Sequence, residues 1–504
     1  MKKKTTAKKS RPTRSMKKTV SSSLLAVTLS TSLIGGTASA LGAQPAEHSG
    51  PQPPVYQGDS LQYFTALIQT EDVDLQLTSG EDVVPAPVPS VGSGTNAGAV
   101  IGALIPAVNS SQETPNSASL DVVKSADGKQ LAKFKVLKDG IEAAVKAAKK
   151  RDTIEIVVPS VKGSSRVEAD IPSAAIQLLA SKSVMLSIQT GDIGVRIPSS
   201  ALPLDAAAKQ LGVDAAKLEL KLKIEKVASA SAESYELTFT AGANGQEVSF
   251  TQMQGQFAAM IVPIAKPVAA PKKGAAYIIE NGVRYPVPVT FDEEGRAHIH
   301  STRTGTFVIE ERNETFADTT GHWAAEALDV MGSKGVLESD ETGKFNPDAQ
   351  ISRVEFARLI VRALGLEGSD TGHSENPFHD IDSNASYAAA VQIAVNAGLF
   401  KGIAEGTFAP DRMMTREQMA AVLVRAAAAF QLELPSVQGG ATVDSFRDMD
   451  SVSDWAKDDM RKAIESGLLQ GTGGGQIASQ KAGTKSQSAV VIMKLLQQAG
   501  LMNS

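Results

Sequence analysis

No cysteine occurs among the 504 residues, which removes disulfide staples, thiolate metal sites and cysteine nucleophiles together. Aromatic residues make up only 5% and tryptophan occurs twice, so one large core is not expected; the length allows two to four domains, some of them weakly cored. The six histidines are His48, His298, His300, His322, His373 and His379. His298 and His300 share one face of a predicted strand, but without a third ligand they read as solvated strand positions rather than a zinc site. Asp380-Ile-Asp382-Ser-Asn384 begins like a calcium loop. Ala385 and Val391 stand where such a loop needs its glycine and its glutamate, so it is rejected. A phosphate-binding loop and a Gly-x-Ser-x-Gly elbow are also missing. No catalytic residue, metal or cofactor is assigned.

Long apolar runs are scarce as well. The run Val20 to Ile34 follows nine basic residues from Lys2 to Lys18 and precedes Ala38-Ser-Ala40. It is too short to span a bilayer, and the pattern is that of a secretory signal peptide over residues 1–40. The alternative is a basic tail with a membrane-surface segment. Losing the signal removes nine of 50 basic residues and no acidic one, leaving 41 against 55 and a formal charge of −14. Nucleic acid is therefore excluded as a partner, and an anionic ligand has to be captured by locally placed cations. No membrane span is expected after cleavage. Gly500 to Ser504 carries no sortase-type signal, so retention at a surface is expected to be non-covalent.

Residues 41–118 are rich in Pro, Ala, Gly and Ser, as in Pro51-Gln-Pro-Pro54. They are expected to form a low-complexity spacer with at most one short ordered element near Tyr63 to Leu77. Residues 119–265 read as a β-rich module, with period-two runs at Thr153–Val158, Val184–Ile188, Ile193–Ile197, Leu218–Ile224 and Tyr235–Phe239. Helices are predicted at Gly140–Lys149, Ser173–Ala180 and Ala206–Leu211. After the Pro/Lys-rich break at 266–273, residues 274–312 read as a small β-rich module or an extension of the first.

An internal repeat fills the rest. Phe316-Ala-Asp318, Phe378-His-Asp380 and Phe446-Arg-Asp448 open three units spanning 313–375, 376–439 and 442–504. At offsets of 63 and 69 residues, Gly335, Gly398 and Gly467 correspond, as do Gly343, Gly406 and Gly475. The same offsets align Ser352-Arg-Val-Glu355 with Thr415-Arg-Glu-Gln418 and Thr484-Lys-Ser-Gln487. Each unit reads as helix, glycine C-cap, loop, helix. The second helix carries an apolar stripe, such as Phe356, Leu359, Ile360 and Ala363, which a lone unit cannot bury.

The pattern Phe-x-Asp, His-Trp-Ala, mid-unit glycine, Gly-x-Phe-x-Pro and Ile-Ser/Thr-Arg-x-Glu resembles the S-layer homology (SLH) domain, over about residues 316–500. The resemblance implies a multidomain chain in which a β-rich, sandwich-like middle region precedes an α-helical pseudo-threefold bundle of three SLH repeats. It implies an exported Gram-positive-type cell-surface protein anchored non-covalently through an acidic, pyruvylated secondary cell-wall polysaccharide, and it leaves self-assembly open. The polysaccharide-binding residues it implies are Arg353, Arg416, Asp318, Asp380 and Trp323, with Asp448, Trp455 and Lys485 in copy three.

The residues also speak independently. The Ser/Thr-x-x-Glu/Gln pattern is a capping box, which puts residues 353, 416 and 485 at the first helical position. A cation there opposes the helix dipole, and an acidic ligand gathered by free N–H groups and a guanidinium fork would explain it. The alternative is a structural ion pair with a carboxylate such as the opening aspartate. The tryptophans could stack on sugar rings or anchor a core. Copy two has Ser386 in the tryptophan's place, and copy three has Lys485, Gln487, Ile477 and Ser479 where the motif has Arg, Glu, Phe and Pro, so copies one and two are expected to bind best. The chain is read as a non-enzyme; the alternative is a wall-tethered enzyme with its catalytic module in 120–312.

Overall fold

The computed structural model describes residues 99–104, 113–124, 130–149, 152–158, 166–228, 232–266, 268–368 and 376–504. All of these fall within one compact unit spanning 92–504. The predicted signal peptide and the element near Tyr63 to Leu77 lie outside the described residues.

Runs of β-branched and alternating residues form β1 (Ala99–Leu104), β2 (Glu113–Lys124), β3 (Gln130–Val136), β4 (Thr153–Val158), β5 (Arg166–Pro172), β6 (Met185–Thr190), β7 (Ile193–Pro198) and β8 (Glu219–Val227). Then follow β9 (Glu233–Ala243), β10 (Gln246–Phe250), β11 (Ala258–Pro263), β12 (Gly274–Glu280), β13 (Val283–Val287), β14 (Val289–Phe291), β15 (Arg296–Ser301) and β16 (Gly305–Glu311). Helices α1 (Lys138–Ala147), α2 (Ser173–Ser181) and α3 (Leu204–Leu211) interrupt them. The strands join in one hydrogen-bonded path, β13-β12-β16-β9-β8-β5-β3-β2-β1-β4-β6-β7-β11-β15-β14, with β10 on β9. Pairing is antiparallel except at β3 with β5 and β4 with β6. Because β12 also packs on β14, the sheet curls until its ends approach.

The expected β-rich middle region is one continuous curled sheet, and residues 274–312 are an extension of it, the second of the two expected alternatives, hydrogen-bonded in through β12, β15 and β16. The stretch expected to be spacer up to 118 contributes β1 and the start of β2; the apolar run Ala99–Leu104 outweighs its glycine-rich surroundings by pairing with β2 and β4. Phe134, Ile154, Ile176, Leu222, Phe239 and Phe307 are among the residues of one core beneath this sheet.

The repeats supply α4 (Ala325–Ser333) and α5 (Arg353–Ala363), α6 (Ala388–Asn396) and α7 (Arg416–Ala429), α8 (Lys457–Glu465) and α9 (Lys485–Gln498). The shared glycines Gly335, Gly398 and Gly467 have φ of +75°, +72° and +73° and end the first helix of each pair as left-handed caps. The second helix of each repeat packs on the first helix of the next, α5 on α6 and α7 on α8, and α9 returns to α4. A second core, including Phe356, Phe400, Phe408, Leu423, Ile464 and Leu495, lies among these helices.

The helices sit directly on the sheet. Asn503 Oδ1 accepts from the Phe291 amide at 2.9 Å while its Nδ2 donates to the Phe291 carbonyl at 2.8 Å, satisfying β14 as a neighbouring strand would. Buried Arg303 donates to Glu280 at 2.6 Å and to the Gly365 and Glu367 carbonyls at 3.0 and 2.8 Å. Gly335 lies so close to Tyr277 that a Cβ there would come within 2.5 Å of the phenol oxygen. Lys334 reaches from the end of α4 to the Gly274 and Val289 carbonyls at 2.9 and 3.2 Å.

Burial pushes the Lys334 ammonium down from 10.5 to about 7, since no anion offsets the lost hydration. Between those values the unfolded chain holds more protons than the folded one, so this group makes stability rise with pH from about 7 towards 10.5. Comparing thermal unfolding of the chain with its Lys334→Met variant should show the unsubstituted chain gaining on the variant steadily across that window. Parallel pH profiles would mean that Lys334 is not desolvated.

Candidate functional site

Each repeat opens with an aspartate that holds a loop. Asp318 accepts from the Phe345 and Asn346 amides at 2.9 and 2.8 Å. Asp380 accepts from Phe408 and Ala409 at 2.9 and 2.6 Å, and Asp448 from Ile477 and Ala478 at 2.8 and 2.9 Å. The second residue of each pair is left-handed, with φ of +58° at Asn346, +59° at Ala409 and +52° at Ala478. An alanine at positive φ costs about 1 kcal/mol or more, and the carboxylate's two charge-assisted bonds offset it. Partial desolvation raises each of these carboxyls, yet the amide donors bring all three below the ordinary aspartate range. Copy three keeps this clamp despite Ile477 and Ser479 because the aspartate reads backbone, not side chains.

The capping boxes form as expected, with Ser352, Thr415 and Thr484 accepting from the amides of Glu355, Gln418 and Gln487. The helix N-termini beside them do not offer the free N–H groups expected, because the first two amides of each helix are already paired. The Arg353 and Val354 amides donate to the Arg412 and Pro410 carbonyls at 2.8 and 3.0 Å; those of Arg416 and Glu417 donate to Lys481 and Ser479, both at 3.0 Å. Those of Lys485 and Ser486 return to Ala349 and Pro347 in the first repeat, at 2.8 and 3.0 Å. Every second helix therefore plugs into the loop of the next repeat, and the third into that of the first.

The motif cations follow their helices inward. Arg353 donates through Nε to the Phe408 carbonyl at 2.9 Å and through Nη2 to Lys401 at 3.0 Å, with its guanidinium over the Phe400 and Phe408 rings. Arg416 donates likewise to the Ile477 and Gln470 carbonyls, at 2.8 and 2.5 Å. Both are buried, at 6% and 5% exposure. Burial lowers Arg353 to about 10, helped by Arg412 and Arg425, so it stays cationic at neutral pH; burial also lowers Arg416. The opening aspartates are not their hydrogen-bond partners. Lys485 alone follows the ion-pair alternative, meeting Glu355 of the first repeat at 2.9 Å. Sequence reasoning missed Glu417, 3% exposed, which accepts from Ser453 and Gln480 and ties repeats two and three together. Its first-turn position, favoured by the dipole, was the available signal.

What remains open is aromatic and cationic. Trp323 and Trp455 are 64% and 54% exposed, so neither anchors a core. A groove of about 310 Å³ lies between the loop of repeat one, α5 and the start of α9, with Lys344, Asn346, Arg358 and Lys485 on its walls. Arg358 is exposed and has no hydrogen-bond or ion-pair partner among the described residues. Asp340 shares the groove, where bonds from Thr342 and Lys344 lower its carboxyl to about 2 and keep it ionised. Fixed donors, one free guanidinium and an adjacent acid can orient a polyhydroxylated anion. Among the described residues, no group of three or more potential ligands could hold a metal ion.

The S-layer homology domain family matches residues 315–357, 377–420 and 445–482. The chain is 26% identical over 251 residues to the amylopullulanase of Thermoanaerobacterium thermosulfurigenes, covering 47% of this chain and 13% of that protein. It is 33% identical over 150 residues to the surface-layer 125 kDa protein of Lysinibacillus sphaericus, covering 30% and 12%. With the S-layer protein sap of Bacillus anthracis it shares 27% over 188 residues, covering 37% and 22%. It thus spans less than a quarter of the length of these curated relatives. The chain carries three S-layer homology domains and is a cell-surface, cell-wall-associated protein.

The junctions predict a graded response. Arg416→Ala leaves two carbonyls without their donor inside a junction and should lower unfolding stability by about 2–4 kcal/mol in urea titrations. Lys485→Ala breaks a pair whose partners are 27% and 39% exposed and should cost under about 1 kcal/mol. Equal losses would contradict the structural role assigned to the arginine.

Proposed function

We propose that the three S-layer homology domains form a pseudo-threefold bundle that holds this protein on the cell wall by binding an anionic secondary cell-wall polysaccharide, without catalysis. The cyclic packing of second helices on first helices, closed by α9 on α4, supports the pseudo-threefold reading. The observation that carries the ligand is the repeat-one groove, where Arg358 and Lys344 stand at the surface of a chain whose net charge is −5. A negative protein attracts an acidic polymer only through such a local site.

The division of labour differs from that implied by motif positions. Arg353, Arg416 and the three opening aspartates build the walls between grooves. Contact with the polymer falls to Arg358, Lys344 and the exposed Trp323 and Trp455, whose indole faces are free to stack on sugar rings. In copy two, Ser386 offers no such face, which makes repeats one and three the aromatic contacts.

Co-sedimentation of the full chain with purified wall sacculi tests this reading. Binding should fall sharply once the non-peptidoglycan polymer is stripped, and Arg358→Gln and Trp323→Ala should each weaken it about tenfold without changing the melting temperature. Undiminished binding to bare peptidoglycan, or to intact walls by both variants, would contradict it.

A further inference from the structure

The geometry points to a second saccharide site, between the β-sheet and the helical repeats, that takes an acidic sugar residue. A cavity of about 700 Å³ opens there, within the range of small-ligand sites and away from the repeat-one groove. Its floor is set by strand register. Ala259 on β11 lies opposite Arg196 on β7 and opposite His300 on β15, so the three stand side by side on one face of the sheet. The small central residue leaves a trough between the Arg196 side chain and the His300 imidazole, which burial keeps neutral by lowering it to about 3, and His298, two residues from His300, extends the row.

Arg196 gives the trough its charge. It is exposed, it lines the cavity, and it has no hydrogen-bond or ion-pair partner among the described residues. The nearby acids are committed elsewhere: Asp292 takes Arg296 at 2.7 Å and His298 at 2.8 Å, and Glu433 on the cavity wall has a partner of its own. The facing wall is built by the ends of α7 and α9, where the amides of Phe430, Gln431 and Leu432 close on Ala426, Ala428 and Ala427 and those of Ala499, Gly500 and Leu501 close on Leu495, Gln497 and Leu496; no carbonyl of either end accepts from Arg196 among the described residues. Arg196 is thus left as a fork for an external carboxylate.

The remaining lining suits a sugar ring rather than a bare anion. Phe257, partly exposed, packs on Phe430 with ring centroids 5.4 Å apart and presents an apolar edge for C–H faces. Gln256, bonded to Ser200 at 2.9 Å, holds an amide on the cavity wall for hydroxyls. A ring with one carboxylate and several hydroxyls matches this set. The site does not depend on how the repeats bind their polymer.

Saturation-transfer NMR and calorimetry on the full chain, with glucuronic acid and glucose as probes, test the assignment. Glucuronic acid should bind, glucose about tenfold more weakly, and Arg196→Gln should remove that preference while leaving wall co-sedimentation unchanged. Ala259→Leu, which fills the trough, should abolish binding of both sugars. Absence of glucuronic acid binding, or an unaltered preference in Arg196→Gln, would overturn the proposal whatever the repeats bind.

Discussion

An α-helix begins with amide groups that have no partner within the helix, and in a protein interior each must be satisfied or the helix start is lost. In this chain the first two amides of α5, α7 and α9 find carbonyls in the loop of another repeat, and those loops are held in shape by an aspartate of their own repeat. The dependence runs from one to two, two to three and three back to one. No repeat completes its own second helix, which explains why the apolar stripes, the caps and the motif cations make sense only in the assembled set. The buried guanidiniums extend the same logic, each carrying donors from the helix start to two further carbonyls of the neighbouring repeat.

This use of the arginines leaves Arg358, Lys344 and the two tryptophans as exposed side chains beside a rigid scaffold. Under the proposed anchoring, contact with the polymer would fall to these, and little side-chain freedom of the scaffold would be lost on contact. The junction with the sheet extends the rigidity. Arg303, Lys334 and Asn503 each satisfy backbone groups across it, so the sheet is held against the anchoring repeats by directional bonds as well as by packing.

Much of this was legible in the sequence. β4 coincides with its alternating run, α1, α2 and α3 lie within a few residues of their predicted spans, and the three glycines and three capping boxes fall where spacing placed them. These are local signals, set by neighbours within four residues. What was not legible depends on distant chain. The single curled sheet required knowing that β12 joins β16, that β16 joins β9 and that β15 joins β11, pairings no local pattern encodes. The arginine at the first helical position was correctly singled out as electrostatically awkward, but its compensation lies more than fifty residues away, at Phe408 for Arg353 and at Ile477 for Arg416. Composition alone could not decide whether Trp323 was core or surface, since indole serves both; the first helix of repeat one fills its core with Leu328 and Met331 instead.

The cyclic exchange of amides and carbonyls is the claim on which the rest stands, and hydrogen exchange read by mass spectrometry reaches it most directly. Truncating the chain before residue 442 should expose the amides of Arg416 and Glu417, which lose their acceptors in repeat three. It should also loosen the Ala349 to Ile351 loop of repeat one, which loses the returning α9. If repeat one kept its full protection while only repeat two loosened, the ring would be an open array and the closure described above would be wrong.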